Sequence, residues 1–360
     1  MNNEKMNSKT SLLIIKIVLF MQIKAFAQYN NPANRYDKAY EQYLDATCPL
    51  QKDSIKHFVY FSRDRELIHN HPLLDNKRLV GAQIMYSWRQ LEPKKGTYNF
   101  SIIYEDYAYL TSHGKKLFIQ LQDVSFSATY KAVPDYLLTE EYDDGCIALN
   151  EEDGWAAKRW NRKVQNRWIQ LLHALGKEFN GKIEGINFQE TAAGTNNTKD
   201  SSFSPERYVK CIKENMKALK QAFPNSVTMQ YANFMPGEWL PWDDKGYLRA
   251  IYQYGNEIGV GLGGPDLMVQ RKGQLNHLIA MMHEYEYKVP LGIAIQDGNY
   301  IGKTGADKDY NEHKDKGLNQ QENIVPLLHA FAKDFLNVNY MFWVNQEPYF
   351  RENVIPCMNN

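Results

Sequence analysis

The feature that most constrains this chain is an alternation of short apolar runs with helical patterns, repeated from residue 57 to residue 345. The runs His57–Ser62, Leu79–Ser87, Lys116–Gln122, Lys182–Gln189, Ser226–Asn233, Gly259–Gly264, Val289–Gln296 and Asn339–Asn345 read as strands. Helical patterns lie between them. Residues 101–113 follow Ser101, and residues 161–179 carry Val164, Trp168, Leu171, Leu172, Leu175 and Phe179 on one face. Ser204-Pro205-Glu206 supplies an N-cap, a first-turn proline and a first-turn acid for a helix with the stripe Val209, Ile212, Met216, Leu219 and Phe223. Further helical patterns occupy 245–257, 273–286 and 320–336, and a first helix is expected somewhere in 64–75.

Strands that alternate with helices pair in parallel, because the helix is the crossover that returns the chain to the same edge. Eight such units predict an α/β fold of the (β/α)8 barrel type. An open doubly wound sheet would want a glycine-rich phosphate turn after its first strand, and none follows His57–Ser62. No Pro/Gly/Ser-rich linker divides residues 50–350, so residues 28–360 read as one barrel domain with a short N-terminal extension.

Residues 1–27 read differently. Lys5 and Lys9 precede the apolar run Ser11–Phe20, and the small-residue site Ala25-Phe26-Ala27 precedes Gln28, the pattern of a secretory signal cut after Ala27. Lys16 interrupts the run, which falls short of the ~20 apolar residues that cross a bilayer. An uncleaved N-terminal anchor is the alternative. The expectation is a secreted or periplasmic protein without stable membrane insertion after cleavage.

Forty-two basic residues balance 42 acidic ones, which argues against nucleic acid or an anionic membrane surface as partner. Aromatic residues make up 13% of the chain, with 24 tyrosines and 7 tryptophans, a supply of flat faces suited to stacking on sugars. Cys48, Cys146, Cys211 and Cys357 form no CxxC and no metal-like spacing. An oxidising compartment allows them up to two bridges in any of three pairings, and a Cys48–Cys357 bond would tie the chain ends together. Gly259–Gly264 fits G-x-G-x-x-G, but Pro265 follows and no nucleotide-binding context surrounds it.

In a (β/α)8 barrel, function gathers where the strands end and the βα loops begin. Nearly every strand end here carries an acid, an amide or a large aromatic. Strand 2 ends at Ser87-Trp88, strand 3 at Gln122-Asp123, strand 4 at Asn187-Phe188-Gln189-Glu190 and strand 5 at Tyr231-Ala232-Asn233. Glu238-Trp239 follow in the strand-5 loop, Asp266 follows strand 6, Gln296-Asp297 end strand 7, and Trp343 and Glu347 mark strand 8.

Two segments carry a resemblance. Trp88-Arg-Gln-Leu-Glu-Pro-Lys-Lys-Gly-Thr-Tyr-Asn-Phe100 resembles the Trp-x-x-x-Glu-Pro-x-x-Gly-x-Tyr-(Asp/Asn)-Phe signature after strand 2 of clan A glycoside hydrolases, the beta-galactosidase-like barrels among them. Ile183–Thr191 is similar to their strand 4, which ends in the acid/base glutamate. The resemblance implies a glycosidase with Glu190 as general acid/base and no cofactor. It implies a tryptophan at the position of Trp343 flooring the sugar subsite. The chain departs from the pattern twice: Gln189 stands where asparagine is usual, and the glycine spacing of Ile295-Gln296-Asp297-Gly298 puts Gln296 in the strand-7 nucleophile slot.

Glycosidic cleavage needs one carboxyl to protonate the leaving oxygen and another to act as nucleophile or to activate water. Glu190 is the expected acid. Asp297 is the expected second carboxylate, with Glu347, Asp266, Glu238 and Asp123 as rivals. For Glu238 and Asp123, a helix cap or a salt bridge is the preferred reading. Trp88, Gln122, Asn187, Gln189, Tyr231, Asn233, Trp239, Gln296, Trp343 and Glu347 are the expected substrate-binding residues, with a poly- or oligosaccharide as partner. Two other readings stay open: a catalytically silent barrel that binds glycan, and a carbohydrate lyase.

Overall fold

The computed structural model describes residues 31–149, 154–192, 194, 200–296 and 320–359, with side chains from Ile324 onward in the last long helix. The segment expected to be a secretory signal, Asp297 and Asn196-Asn197-Thr198, which fits the glycosylation sequon, lie outside the described residues.

Among the described residues there are eleven strands: β1 (Lys56–Tyr60), β2 (Leu79–Ser87), β3 (Lys116–Gln122), β4 (Val124–Ser125), β5 (Cys146–Ala148), β6 (Trp155–Ala157), β7 (Gly185–Phe188), β8 (Val227–Tyr231), β9 (Gly261–Gly264), β10 (Leu291–Ile295) and β11 (Tyr340–Val344). Eight of them close into a barrel in the order β1-β11-β10-β9-β8-β7-β3-β2, every pair parallel. The (β/α)8 expectation is met, and all eight expected strands lie on observed ones. The remaining three make an antiparallel sheet in the loop after β3, with β6 between β4 and β5. Sequence periodicity misses that sheet because its strands are only two or three residues long.

Side chains alternate along each strand, so residues two apart share the barrel interior. Its middle is aromatic on one side: Phe58, Phe118, Tyr340 and Phe342 meet with ring centroids 5.0–6.2 Å apart. Glycines opposite make the room. A Cβ on Gly185 would lie 2.6 Å from Phe118 Cε2, and one on Gly292 would lie 2.7 Å from Met229 Sδ. Above this layer the interior turns polar. Tyr60 donates to Gln120 Oε1 (3.1 Å), and Gln83 Nε2 donates to Asn187 Oδ1 (2.9 Å) and Tyr231 Oη (3.1 Å).

The helix Arg162–Phe179 starts where Asn161 Oδ1 accepts from the amides of Lys163 and Val164, and Pro205–Ala222 starts where Ser204 Oγ accepts from Arg207 N. The two helices pack closely, since a Cβ on Gly176 would meet Ala222 O at 2.3 Å. The first expected helix is instead two 3-10 turns, Arg65–Ile68 and Pro72–Leu74. Asn70 between them takes a left-handed φ of 56°, and Pro72 cannot donate to a continuing helix. Cys48 and Cys357 form a disulfide with Cα atoms 4.6 Å apart, while Cys146 and Cys211 are buried thiols. Among the described residues, no helix is long and apolar enough to cross a membrane.

Candidate active site

Beyond β7 the chain passes through Gln189 to Glu190 at the C-terminal rim of the barrel. Its backbone is held there by neighbours on both sides. Gln189 Oε1 accepts from the amides of Asp123 (3.0 Å) and Val124 (2.9 Å), joining the ends of the third and fourth barrel strands. Gln230 Nε2 donates to Gln189 O at 2.9 Å. Arg159 Nη1 donates to Glu190 O (2.8 Å) and to Tyr208 Oη (2.8 Å), and Tyr208 in turn donates to Thr191 O (2.9 Å). The rest of the Arg159 fork grips both oxygens of buried Asp123 at 2.7 Å each.

The Glu190 side chain is fixed by one amide. Asn233 Nδ2 donates to Glu190 Oε2 at 2.6 Å. Asn233 Oδ1 accepts from Phe234 N (2.9 Å) and Ala192 N (3.3 Å), which sets the amide so that its NH2 faces the carboxyl. Glu190 keeps part of its surface open, yet the protein around the carboxyl strips away water. That burial, followed by the charge of Asp266, raises its pKa to about 7 against the opposing pull of Asn233, Arg159 and Arg271. Near neutral pH the site therefore holds a carboxyl that is part acid, part base, aimed by a fixed donor.

The other expected residues fall into three groups. Asn233, Gln296 and Trp239 are at the rim. Gln296 follows Ile295 with the inward parity of Gly292 and Ala294. Trp239 is 54% exposed and stacks on Phe234 at 5.6 Å and 7°. A second group lies in the barrel rather than on its surface. Asn187 and Tyr231 are wholly buried in the layer bonded to Gln83, so they support the rim from below instead of touching a substrate. Gln122 is buried at the top of β3, and its Oε1 has no partner among the described residues. Gln189 is committed to backbone amides, as above.

The third group corrects the sequence reading. Trp343 is fully buried on the outer face of β11, where alternation turns it away from the interior of Tyr340 and Phe342 and Nε1 donates to His57 Nδ1 (3.1 Å). It cannot floor a sugar site. Trp88 is likewise fully buried, against Trp168 at 4.9 Å, with Nε1 donating to Glu92 Oε2 (2.9 Å). Glu92 also accepts from Gly96 N (2.8 Å) and from Arg167. The Trp-x-x-x-Glu-Pro-x-x-Gly segment is thus a structural knot in which the glutamate gathers the tryptophan, the glycine amide and an arginine. Glu347 pairs with Arg351 at the surface (2.8 Å).

Of the rival carboxylates, Glu238 accepts from the amides of Lys245, Tyr247 and Leu248 at the start of the helix Tyr247–Ile258. Asp123 is bound by Arg159. Asp266 follows β9, and its charge bears on Glu190. Arg159 and Tyr208 escape sequence reasoning, since neither stands at a strand end or in a recognisable spacing.

One group resembles a metal site. Asp53, His57 and His329 bring potential ligand atoms within 4.8 Å of one another. Trp343 Nε1 can only donate, so His57 Nδ1 accepts and the proton of the neutral ring is on Nε2, facing Asp53 Oδ1 at 3.4 Å. That nitrogen has no lone pair for a cation. Asp53 is further bound by Arg78 and by His329 Nε2 (2.8 Å). The trio is a buried polar cluster in which Asp53, paired with Arg78, joins the N-terminal segment, β1 and the last long helix.

The closed parallel barrel, with a carboxyl near neutrality at the end of its fourth strand, defines the class: a (β/α)8 barrel with a rim site. No protein-family model matches the chain, and no curated protein matches it in sequence. In structure it is similar to endo-glycoceramidase II from Rhodococcus sp. in a five-membered iminocyclitol complex, at 10% identity and a TM-score of 0.50, covering 83% of this chain and 75% of that one. It is also similar to xylanase 10B from Thermotoga petrophila RKU-1 in complex with xylobiose, at 11% identity and a TM-score of 0.45, covering 88% and 86%. The likeness is one of fold.

Proposed function

We propose that the chain is a glycoside hydrolase that cleaves β-linked poly- or oligosaccharides, with Glu190 as its general acid. The carrying observation is the Glu190 carboxyl, held at the end of the fourth barrel strand by Asn233 and raised to about 7 by burial and by Asp266. A general acid works best when its pKa lies near the working pH, because it then both holds and yields the proton readily. Protonated Glu190 gives its proton to the glycosidic oxygen as the bond from that oxygen to the anomeric carbon breaks. The shared fold adds an argument by analogy only. Exposed aromatic faces add another: Trp239 and Trp242 in the loop after β8 and Phe126 after β4 are 54%, 63% and 63% exposed. Such faces suit the apolar faces of sugar rings. The N-terminal segment supports a secreted or periplasmic location, where such polymers are met.

The test is a panel of β-linked oligosaccharides incubated with the purified protein, products being separated by chromatography. Cleavage by the wild type, lost in Glu190→Gln with binding retained, is the expected outcome. Gln296 at the end of β10 favours a second reading, a barrel that binds glycan without cutting it, because an amide cannot serve as a carboxylate there. Binding of a panel member with no product from any of them would favour that reading.

A further inference from the structure

We infer that His277, buried under the loop after β8, is a positioning residue that holds the indole of Trp239 in place as a platform for a sugar ring at the rim. The inference rests on the reading of the rim as a glycan site, and it concerns how the glycan is held rather than how it is cut.

Three observations carry it. The first is an unbroken run of contacts from the acid to the platform. Asn233 Nδ2 donates to Glu190, and the next residue, Phe234, stacks on Trp239 with centroids 5.6 Å and planes 7° apart. Thr191, which follows Glu190, donates from Oγ1 to Phe234 O at 2.7 Å. Phe234 is thereby tied to the acid twice. It covers one face of the indole, while 54% of Trp239 stays exposed.

The second is what lies beneath the two rings. His277 is fully buried and meets both, at 4.6 Å and 51° from Phe234 and at 4.8 Å and 56° from Trp239. Gly273, one helical turn earlier, lies against the same pair: a Cβ there would sit 3.6 Å from Phe234 Cζ and 3.8 Å from Trp239 Cη2. The next residue, Asn276, is clamped in turn by the N-terminal segment, with Arg35 Nη2 donating to its carbonyl at 2.6 Å and Arg35 Nε to its Oδ1 at 3.1 Å.

The third is that both nitrogens of His277 are committed to backbone. Leu240 N donates to Nε2 at 2.9 Å, and Nδ1 lies 2.8 Å from Gly273 O. An amide N–H only donates and a carbonyl only accepts, so Nδ1 carries the proton and Nε2 does not. Burial lowers the pKa of the ring to about 4, which keeps it neutral, in this tautomer, near neutral pH. Leu240 follows Trp239 directly, and Trp239 exchanges backbone hydrogen bonds with Asp243 at 3.0 and 2.8 Å. One nitrogen thus fixes the chain at Trp239 while the ring itself packs against the indole. A face that is ordered before binding loses less freedom when a sugar stacks on it, so removing His277 weakens binding through Trp239.

The experiment uses the full chain with Glu190→Gln as background, so that no ligand is cut. Into it go His277→Ala, His277→Gln, Trp239→Ala and each His277 substitution combined with Trp239→Ala. Calorimetry measures Kd for β-linked hexasaccharides of glucose, xylose, mannose and galactose. His277→Ala should weaken the best-bound of these by about 5–10-fold, and by less than about two-fold once Trp239 is gone, because no platform is then left to position. His277→Gln, whose Oε1 can accept from Leu240 N, should lose less; if His277→Ala does not fold, this variant reads the same coupling with Trp239. In the active chain the loss should fall on KM, with kcat held within a factor of about two. Nitrogen-15 NMR should find His277 protonated at Nδ1 and bare at Nε2, its signals identified by their absence in His277→Gln.

An equal loss with and without Trp239 would make His277 a general support of the fold and overturn the inference. Unchanged binding in both His277 variants, or a proton on Nε2, would overturn it as well. None of these results touches Glu190 as the acid. Coupled losses in a wild type that cuts no glycan would uphold the platform and overturn the hydrolase reading alone. Binding of none of the hexasaccharides would overturn the platform, and cleavage of any of them by the wild type would show the hydrolase reading to stand without it.

Discussion

Replacing Glu190 by glutamine should stabilise the protein, and only above the pH at which the carboxyl ionises. The side chain sits in a site that raises its pKa from 4.5 to about 7, first by desolvation and next by the charge of Asp266. A raised carboxyl pKa means that the folded state keeps a proton the unfolded chain has already lost, so stability falls as pH rises from about 4.5 to about 7. At about 1.4 kcal/mol per unit, the charged form costs the folded state about 3 kcal/mol by pH ~8. Glutamine carries no charge, and its carbonyl oxygen can still accept from Asn233 Nδ2. Urea denaturation followed by tryptophan fluorescence, run on both proteins from about pH 4 to about pH 8, measures the difference. It should be near zero at the acid end and grow to about 3 kcal/mol in favour of Glu190→Gln at the alkaline end. A difference that stays flat across this range would refute the claim that Glu190 is buried against its charge.

Three further outcomes follow from particular contacts. Trp88→Phe removes the indole donor to Glu92 and should cost about 2–3 kcal/mol of stability by leaving a buried carboxylate short of a partner, with kcat of the folded fraction unchanged. Gly263→Ala would set a Cβ 1.8 Å from Gly292 O, so the β9–β10 pairing must shift. A loss of about 3 kcal/mol or more, seen as a lower Tm, is expected. Trp239→Ala takes away an exposed stacking face; about 1–2 kcal/mol of binding, or roughly ten-fold in KM, should go while kcat holds within a factor of about two.

The barrel was legible because its signal is repetitive. Leu79–Ser87 and Lys116–Gln122 are strands over the residues expected of them, and each of the other six begins or ends within three residues of its expected bound. What could not be read was which way a side chain faces once several strands compete for one interior. Trp343 looks like a subsite floor by its place in the chain, but one step of alternation turns it outward onto His57. Asn187 and Tyr231 stand near strand ends, yet they sit a layer too deep and are consumed by Gln83. The Trp88–Phe100 segment is distinctive in sequence because it ties a knot, with Glu92 at its centre, not because it touches a ligand. Arg159 organises Asp123, Tyr208 and the Glu190 backbone from a loop with no periodicity, so only the folded chain reveals it. The bearing of Asp266 on Glu190 has the same origin, since charge acts through space across β8.

The most direct test of the account compares wild type and Glu190→Gln on two glycosides of the same sugar, one with a dinitrophenol leaving group and one with an unactivated sugar alcohol. Dinitrophenolate departs without a proton, whereas the alcohol needs one from the general acid. The account predicts that kcat/KM for the unactivated glycoside falls by about 10²–10⁴-fold in the variant, with a far smaller fall for the dinitrophenyl glycoside. An equal fall on both substrates, or none on either, would contradict the assignment of Glu190 as the acid.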